Sequence, residues 1–267
     1  MQGKTVWIVD AINPLGNALA TALNKQGNFV IASGRDAEAL AALSRDSGGA
    51  IAAMHLDLED EASVGAAKEQ LATLSDRLDV VVANVVANVV TNVGANQNAL
   101  RERSVGGSID AELCGRQMNS NYLAMVKTLE MAMPLLRRSR APYIVCAGSA
   151  VARLPLAGIE AFGASAAATE YFARALALEL KEQNIALSIV RAGVVAGSSA
   201  GTNDWAARFA VSAEEAAQRL MVGMEGRKRL IHLPRTLGWL LAFVDFLPVA
   251  WVRGIVAQLN RQSGVTW

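Results

Sequence analysis

The sequence predicts an α/β fold in which one doubly wound parallel sheet carries helices on both faces. Short apolar runs of strand length alternate along the chain with longer amphipathic segments, which is typical of repeated β-α-β units. The composition is 52% hydrophobic and 18% charged over 267 residues, which is enough apolar material for one well-buried core. No low-complexity linker divides the sequence, so a single domain is expected.

The individual elements follow from local patterns in chain order. The first strand is a buried apolar run over 5–9, and the first helix has apolar residues at helical spacing from Leu15 up to a C-cap at Gly27. The same alternation continues to the end of the chain. It predicts strands over 29–32, 50–56, 80–84, 143–147, 185–191 and 230–232, and helices over 37–43, up to 74, and over 111–138, 159–182 and 213–224.

Charge and cysteine content exclude several classes of protein. Twenty-five basic and 24 acidic residues leave a net charge of +1, so nucleic-acid binding is not expected. Cys114 and Cys146 match no metal or redox spacing, which fits a reducing compartment. The first residues lack the layout of a signal peptide, so we expect a cytoplasmic protein. The apolar segment 237–251 is shorter than the ~20 residues of a spanning helix.

The turn between the first strand and the first helix carries a damaged glycine motif. It reads Asp10-Ala11-Ile12-Asn13-Pro14-Leu15-Gly16, and it resembles the TGxxxGxG turn of short-chain dehydrogenases/reductases in placement and length. In that family the glycines let backbone amides approach the cofactor pyrophosphate. Only Gly16 remains here, because Asp10 and Pro14 stand at the other two glycine positions. The alternative interpretation is an ordinary tight turn in which Asn13 and Pro14 begin the helix.

Three further positions match the cofactor-binding residues of that family. The resemblance implies that Arg35, after the second strand, faces the 2′-phosphate of NADP, and that Asp57 lies beside the adenine. Asn84 is the residue kept from the family's NNAG motif. The alternatives are a solvated Arg35 at a helix start and Asp57 as a turn residue. The expected cofactor is therefore either none or a weakly bound NADP(H), held by Gly16, Arg35, Asp57 and Asn84.

The resemblance also implies a catalytic site that lacks its proton donor. Ser149, after the fifth strand, matches the serine that polarises the substrate carbonyl, and Asn121 matches the asparagine that holds a water. At the family's spacing, the Tyr position is Phe162 and the Lys position is Ala166. Phenylalanine has no ionisable hydroxyl, and alanine supplies neither charge nor a ribose contact. Ser149 and Asn121 could then serve only local backbone roles.

None of the three tyrosines restores the missing group. Tyr171 lies more than two helical turns from Phe162, and Tyr143 begins a strand whose far end carries the site. Tyr122 adjoins Asn121 but points about 100° away around its helix. The chain is thus identified as a degenerate member of the short-chain dehydrogenase/reductase family, which implies a Rossmann-like fold.

The resemblance covers nearly the whole chain and implies one Rossmann-like domain over 1–267. Within it, 195–267 would form a substrate lid, with Trp205, and an apolar C-terminal extension. The helices near 111–138 and 159–182 match those through which the family commonly dimerises, so a homo- or hetero-oligomer is expected. The extension could bind an apolar small molecule or contact a membrane peripherally; the alternative is a buried helix pair or an oligomer contact.

Three functional hypotheses follow from these partial matches. The first is a redox-inactive protein, either a non-catalytic partner subunit of a hetero-oligomer or a binder of an apolar ligand. The second is a repurposed non-redox enzyme, such as a cyclase or isomerase, in which Ser149 and Asn121 still polarise a carbonyl. The third is an atypical NADP(H)-dependent oxidoreductase that uses another proton donor or solvent.

Overall fold

Parallel strands form the centre of the molecule. The structure, a computed structural model, describes residues 1–83, 109–153, 159–193, 195, 211–234, 251 and 254. Within these residues the strands are β1 (Thr5–Val9), β2 (Phe29–Gly34), β3 (Ile51–His55), β4 (Val80–Ala83), β5 (Tyr143–Ser149), β6 (Ala186–Ala192) and β7 (Leu230–Leu233). They form one seven-stranded sheet in the order β3-β2-β1-β4-β5-β6-β7, and every neighbouring pair is parallel. The chain therefore winds outward from β1 in both directions, which confirms the predicted doubly wound fold.

Helices connect the strands in the part of the chain that the structure describes. They are α1 (Pro14–Lys25), α2 (Ala37–Asp46), α3 (Glu61–Leu74), α4 (Ala111–Gln117), α5 (Ala124–Leu136), α6 (Glu160–Glu182) and α7 (Ala213–Glu225). A π-helical turn, Met118–Leu123, joins α4 to α5, and a 3₁₀ turn, Ala150–Arg153, follows β5. The predicted helix over 111–138 is thus one helical path interrupted by a π turn.

Side-chain caps explain where five of these helices begin. In each case an oxygen of the residue before the first turn accepts a hydrogen bond from a backbone N–H inside that turn, which satisfies an otherwise unpaired donor. The capping residues are Asn13, Asp36, Asp60, Asp110 and Ser212. All five are residue types that favour this position, so the helix starts are encoded locally.

The apolar side chains of the sheet divide between its two faces. On one face they pack against α1, α2 and α7, with Leu19, Leu40 and Leu220 buried among them. On the other face they pack against α3, α5 and α6, with Leu71 and Leu129 buried there. Both faces are covered by helices, as expected for a sheet whose strands are near-continuous apolar runs.

A buried carboxylate ties the amino ends of the strands together. Asp79, just before β4, accepts hydrogen bonds from the Ser139 hydroxyl at 2.6 Å and from the Thr5 N–H at 3.0 Å. Burial of Asp79 raises its pKa, but these hydrogen bonds and the nearby cations Lys4 and Arg77 outweigh that effect, so its pKa lies below the ordinary value. Asp79 therefore contributes most to stability as the charged form.

The boundaries differ from the predictions mainly at polar residues. Strand β2 continues to Gly34, two residues beyond the predicted end, because the Ser33 hydroxyl is buried and accepts a hydrogen bond from the Trp7 indole N–H at 2.9 Å. Helix α2 continues to Asp46 through polar residues on its outer side. Asn84, the loop over 85–107, Trp205 and most of 195–267 lie outside the described residues.

Candidate functional site

The candidate site lies at the carboxyl edge of the parallel sheet. Val9 at the end of β1 is in register with Ala83 of β4, and Ala83 is in register with Cys146 of β5. Strand β5 then continues to Ser149, which pairs with Ala192 of β6. The β1–α1 turn and Ser149 therefore both leave the sheet at this edge, where ligands bind in open α/β sheets.

The β1–α1 turn keeps the backbone shape of a glycine turn with different side chains. Asp10 has φ 54°, a left-handed conformation that glycine adopts freely and aspartate tolerates. A Cβ atom on Gly16 would lie 2.6 Å from the Asp10 carbonyl oxygen, so only glycine allows α1 to approach the turn this closely. Asp10 thus has a conformation that favours glycine, and Gly16 lies where the close approach of the turn allows only glycine.

The polar groups of this turn bond to one another. Asn13 Nδ2 donates to the Asp10 carbonyl oxygen at 2.9 Å and to Asp10 Oδ2 at 2.8 Å. Asn13 Oδ1 accepts the Gly16 N–H at 2.8 Å, which makes Asn13 the N-cap of α1. Pro14, at the first helical position, has no N–H. Two of the first three helical residues therefore offer no backbone donor to a ligand.

This arrangement does not fit the pyrophosphate of a dinucleotide. Such a group needs free backbone donors and a positive potential at the helix N-terminus. Here the Gly16 donor is used by Asn13, and the Asp10 carboxylate lies one hydrogen bond from the helix cap.

The structure brings two of the predicted cofactor residues together beside the turn. Arg35 Nε lies 4.0 Å from Asp57 Oδ1, and Arg35 Nη1 lies 3.8 Å from Glu59 Oε2. These residues line a cleft with Asp10, Gly34 and apolar groups of β1 and of the loop after β3. The guanidinium is half-exposed and its ion pairs are long, so they hold it only weakly. Three carboxylates and one arginine give this cleft a negative balance.

Asn121 lies in the π-helical turn and is completely buried. Its Nδ2 donates to Ser165 Oγ at 2.8 Å and to Gln117 Oε1 at 3.3 Å. Ser165 in turn donates to the carbonyl oxygen of Phe162 at 2.9 Å. Among the described residues, Asn121 Oδ1 has no hydrogen-bond partner. The side chain that the resemblance assigns to a water is thus tied to α6 through its amide nitrogen.

The Tyr and Lys positions of the family hold a buried apolar pair. Phe162 is 8% exposed and Ala166 is 0% exposed, and both pack with the partly buried Ala152 and Ile159. The two residues lie one turn apart on the inner side of α6, which packs against the π turn and the 3₁₀ turn. Ser149, the last residue of β5, is also buried. Neither Phe162 nor Ala166 can donate or accept a proton.

The three tyrosines of the chain all lie elsewhere. Tyr143 begins β5 and shares a 2.5 Å hydrogen bond with Ser188, and burial raises the pKa of its phenol. Six residues of strand, about 20 Å, separate it from Ser149. The Tyr122 ring contacts Phe172 edge-on at 5.7 Å, and Tyr171 is 78% exposed. Tyr143 thus lies at the opposite end of β5 from Ser149, and Tyr122 packs its ring against α6.

Sequence reasoning missed a buried ion pair behind the candidate site. Arg191 Nε donates to Glu170 Oε2 at 3.0 Å and Arg191 Nη2 donates to Glu170 Oε1 at 2.5 Å, and both side chains are nearly buried. Arg191 is in register with His232 of β7, whose pKa is lowered by burial and by Arg191. Glu170 lies one turn beyond Ala166, and this placement on the buried side of α6 is the signal that could have revealed it.

Two kinds of site are absent from the described part of the chain. No group of three His, Cys, Asp or Glu side chains there could hold a metal ion. No helix among those residues combines the length and the apolar character needed to cross a membrane.

Comparison with known proteins agrees with the fold. The family model described as short chain dehydrogenase matches residues 4–207. A 3-ketodihydrosphingosine reductase of Bacteroides thetaiotaomicron is 25% identical over 198 residues, which cover 72% of this chain and 64% of that protein. A rhamnolipids biosynthesis 3-oxoacyl-(acyl-carrier-protein) reductase of Pseudomonas aeruginosa is 30% identical over 200 residues, covering 72% of this chain and 73% of that protein.

A solved structure extends this likeness over most of the chain. A short chain dehydrogenase from Burkholderia cenocepacia J2315, in complex with NADP, has a TM-score of 0.71 with 19% identity. The match covers 92% of this chain and 94% of that one. The chain spans less than two thirds of the length of the Bacteroides reductase.

Proposed function

The chain belongs to the short-chain dehydrogenase family, and we propose that it serves there as a partner subunit that does not itself transfer hydride. The observation that carries the proposal is the buried apolar pair Phe162 and Ala166 in the place of the catalytic tyrosine and lysine. The segment 195–267 would supply a lid and an apolar extension to the same single domain. Two free cysteines support a cytoplasmic location.

Hydride transfer to a carbonyl requires a proton donor at the carbonyl oxygen. Polarisation by Ser149 alone leaves the developing alkoxide without a proton, and general acid catalysis contributes about 10²–10⁴-fold to such reactions. The two histidines do not supply it, because His55 ends β3 at the edge of the sheet and His232 lies on β7 at the opposite edge. Together with the positions of the tyrosines, this supports a chain without hydride-transfer activity.

A stripe of apolar residues on the outer side of α6 supports the role of a subunit. Ala164, Ala167, Tyr171 and Leu178 are all exposed and recur at helical spacing. Tyr171 is 78% exposed and Leu178 is 71% exposed. Large apolar side chains that line one exposed face are typical of a protein interface, and the small alanines one and two turns before Tyr171 allow a second helix to approach closely. The partner would be another copy of this chain or an active relative.

Measurement of assembly and of turnover tests the proposal. By sedimentation, we expect the wild type to be an oligomer and Tyr171→Glu/Leu178→Glu to be a monomer. Val222→Glu is the matched control, because Val222 is an exposed apolar residue on a different helix, and it should behave as the wild type. A control that dissociates equally would contradict assembly through α6, and so would a wild type that stays monomeric both alone and when mixed with an active relative. NADPH oxidation that Ser149→Ala abolishes would overturn the absence of hydride transfer.

A second candidate is an atypical NADP(H)-dependent reductase. It is supported by the cleft in which Arg35 and Asp57 lie together, and by the relatives named as reductases of 3-keto and 3-oxoacyl compounds. In this case the substrate would be a 3-oxoacyl thioester or a related ketone. A steady rate of NADPH oxidation with such a substrate, lost in Arg35→Ala, is the result that distinguishes this candidate from the first.

A further inference from the structure

We propose that Asp10 and Asn13 form a built-in substitute for a phosphate group, which orders the β1–α1 turn and excludes the pyrophosphate of a dinucleotide. The inference rests on the proposed function, because a subunit that transfers no hydride has no need of the dinucleotide. In such a subunit the turn itself does the structural work that a bound phosphate does elsewhere.

A negative charge lies beside the N-terminus of α1. A helix N-terminus attracts an anion because its free N–H groups and its dipole are positive there. No acidic residue lies in the first turn of α1, and the carboxylate nearest its cap comes from Asp10, through the 2.8 Å bond from Asn13 Nδ2. The left-handed backbone at Asp10 is what places this carboxylate beside the cap.

The hydrogen-bonding groups of the Asn13 side chain are all used within the turn. Asn13 is 6% exposed and all three of its bonds in this turn are internal: two donated to Asp10 and one accepted from the Gly16 N–H. Pro14 adds no donor. The side chains of Asp10 and Asn13 therefore bond to each other and to the helix, and a pyrophosphate that used the Gly16 N–H would have to displace Asn13 and lie beside a like charge.

The test is the gain of dinucleotide binding when the substitute is removed. Asp10→Asn keeps the shape of the side chain and tolerates the left-handed backbone, so it removes the charge without strain. Asp10→Gly/Asn13→Ala/Pro14→Ala also frees the Gly16 N–H and restores an N–H at position 14. Because a like charge next to the phosphates is lost, we expect NADPH to bind each variant at least about tenfold more tightly than the wild type at low salt. Nicotinamide fluorescence and thermal unfolding with NADPH measure this.

Glu59→Gln is the matched control for this test. It removes the same charge from the same cleft, but beside Arg35 instead of the helix cap, and it should tighten NADPH binding less than Asp10→Asn does. The advantage of Asp10→Asn should also shrink as salt is raised. The inference is overturned if both Asp10 variants bind NADPH no better than the wild type, or if Glu59→Gln has an equal effect. Binding and turnover are separate readouts, so wild-type NADPH oxidation would refute the proposed function independently.

Discussion

Loss of Arg191 should destabilise the protein more than loss of any exposed charge. The Arg191→Met variant leaves the Glu170 carboxylate in an almost completely buried position, since Arg191 now supplies two hydrogen bonds to it at 3.0 and 2.5 Å. The only other cation within 4 Å of Glu170 among the described residues is Arg174, at 3.8 Å and mostly exposed. Breaking a buried pair in this way costs about 3–5 kcal/mol.

The expected size of the effect on thermal unfolding follows from the length of the chain. For 267 residues, each kcal/mol lowers the melting temperature by about 2 °C. Arg191→Met should therefore melt about 6–10 °C below the wild type in differential scanning calorimetry. Arg174→Met, which removes the exposed neighbour, should change stability by less than about 0.5 kcal/mol.

A double variant separates the cost of stranding a charge from the value of the pair itself. Replacing a buried ion pair by apolar side chains is often neutral, so Glu170→Met/Arg191→Met should recover most of the stability that Arg191→Met loses, to within about 1 kcal/mol of the wild type. If the double variant is as unstable as Arg191→Met, or if Arg191→Met loses less than about 1 kcal/mol, the argument from a stranded charge is wrong.

Three further predictions concern other parts of the fold. Asp79→Asn should lower the free energy of unfolding by about 1–3 kcal/mol at neutral pH. Because the pKa of Asp79 is depressed in the folded protein, the difference between variant and wild type should shrink as the pH falls below about 4, where the unfolded carboxyl takes up its proton. Urea denaturation at a series of pH values measures this difference. Burial raises the pKa of the Cys146 thiol to about 12, so native protein should react with a thiol reagent only at the exposed Cys114. The Cys146 thiol should react only after unfolding, and two reactive thiols in native protein would contradict its burial. Gly16→Ala should lower the free energy of unfolding by about 1–3 kcal/mol, because its Cβ would meet backbone atoms. Gly65→Ala in α3, where a Cβ meets nothing, should raise the free energy of unfolding by about 0.5–1 kcal/mol. Equal effects of the two variants in chemical denaturation would refute the close approach of α1.

The fold could be predicted from the sequence because its strands are continuous buried runs. Strand β1 begins and ends at the predicted residues, since Val6, Ile8 and their neighbours are apolar without interruption. Prediction failed where a polar residue is buried by a specific partner. Serine is a residue type common in loops. Ser33 belongs to β2 because its hydroxyl accepts a hydrogen bond from the Trp7 indole on the adjacent strand.

The candidate site was predictable in its residue types and not in its bonding. The substitutions at Asp10, Pro14, Phe162 and Ala166 could be identified by position along the chain. The bonds among Asp10, Asn13 and Gly16 depend on a positive φ at Asp10, which a sequence pattern does not encode. The Glu170–Arg191 pair joins residues 21 positions apart on a helix and a strand, and such a contact requires the tertiary structure.

Because Asp10 has a left-handed backbone, the turn can keep a conformation that favours glycine while it carries a different side chain. Asp10 has φ 54°, a conformation that a glycine adopts freely, and the helix begins at Pro14. The turn therefore presents a carboxylate to the cleft where a glycine would present no side chain. A comparison of Cα positions alone does not detect this exchange, because it takes no account of side-chain atoms. At this turn a backbone conformation that favours glycine is combined with a carboxylate and an amide that bond to each other.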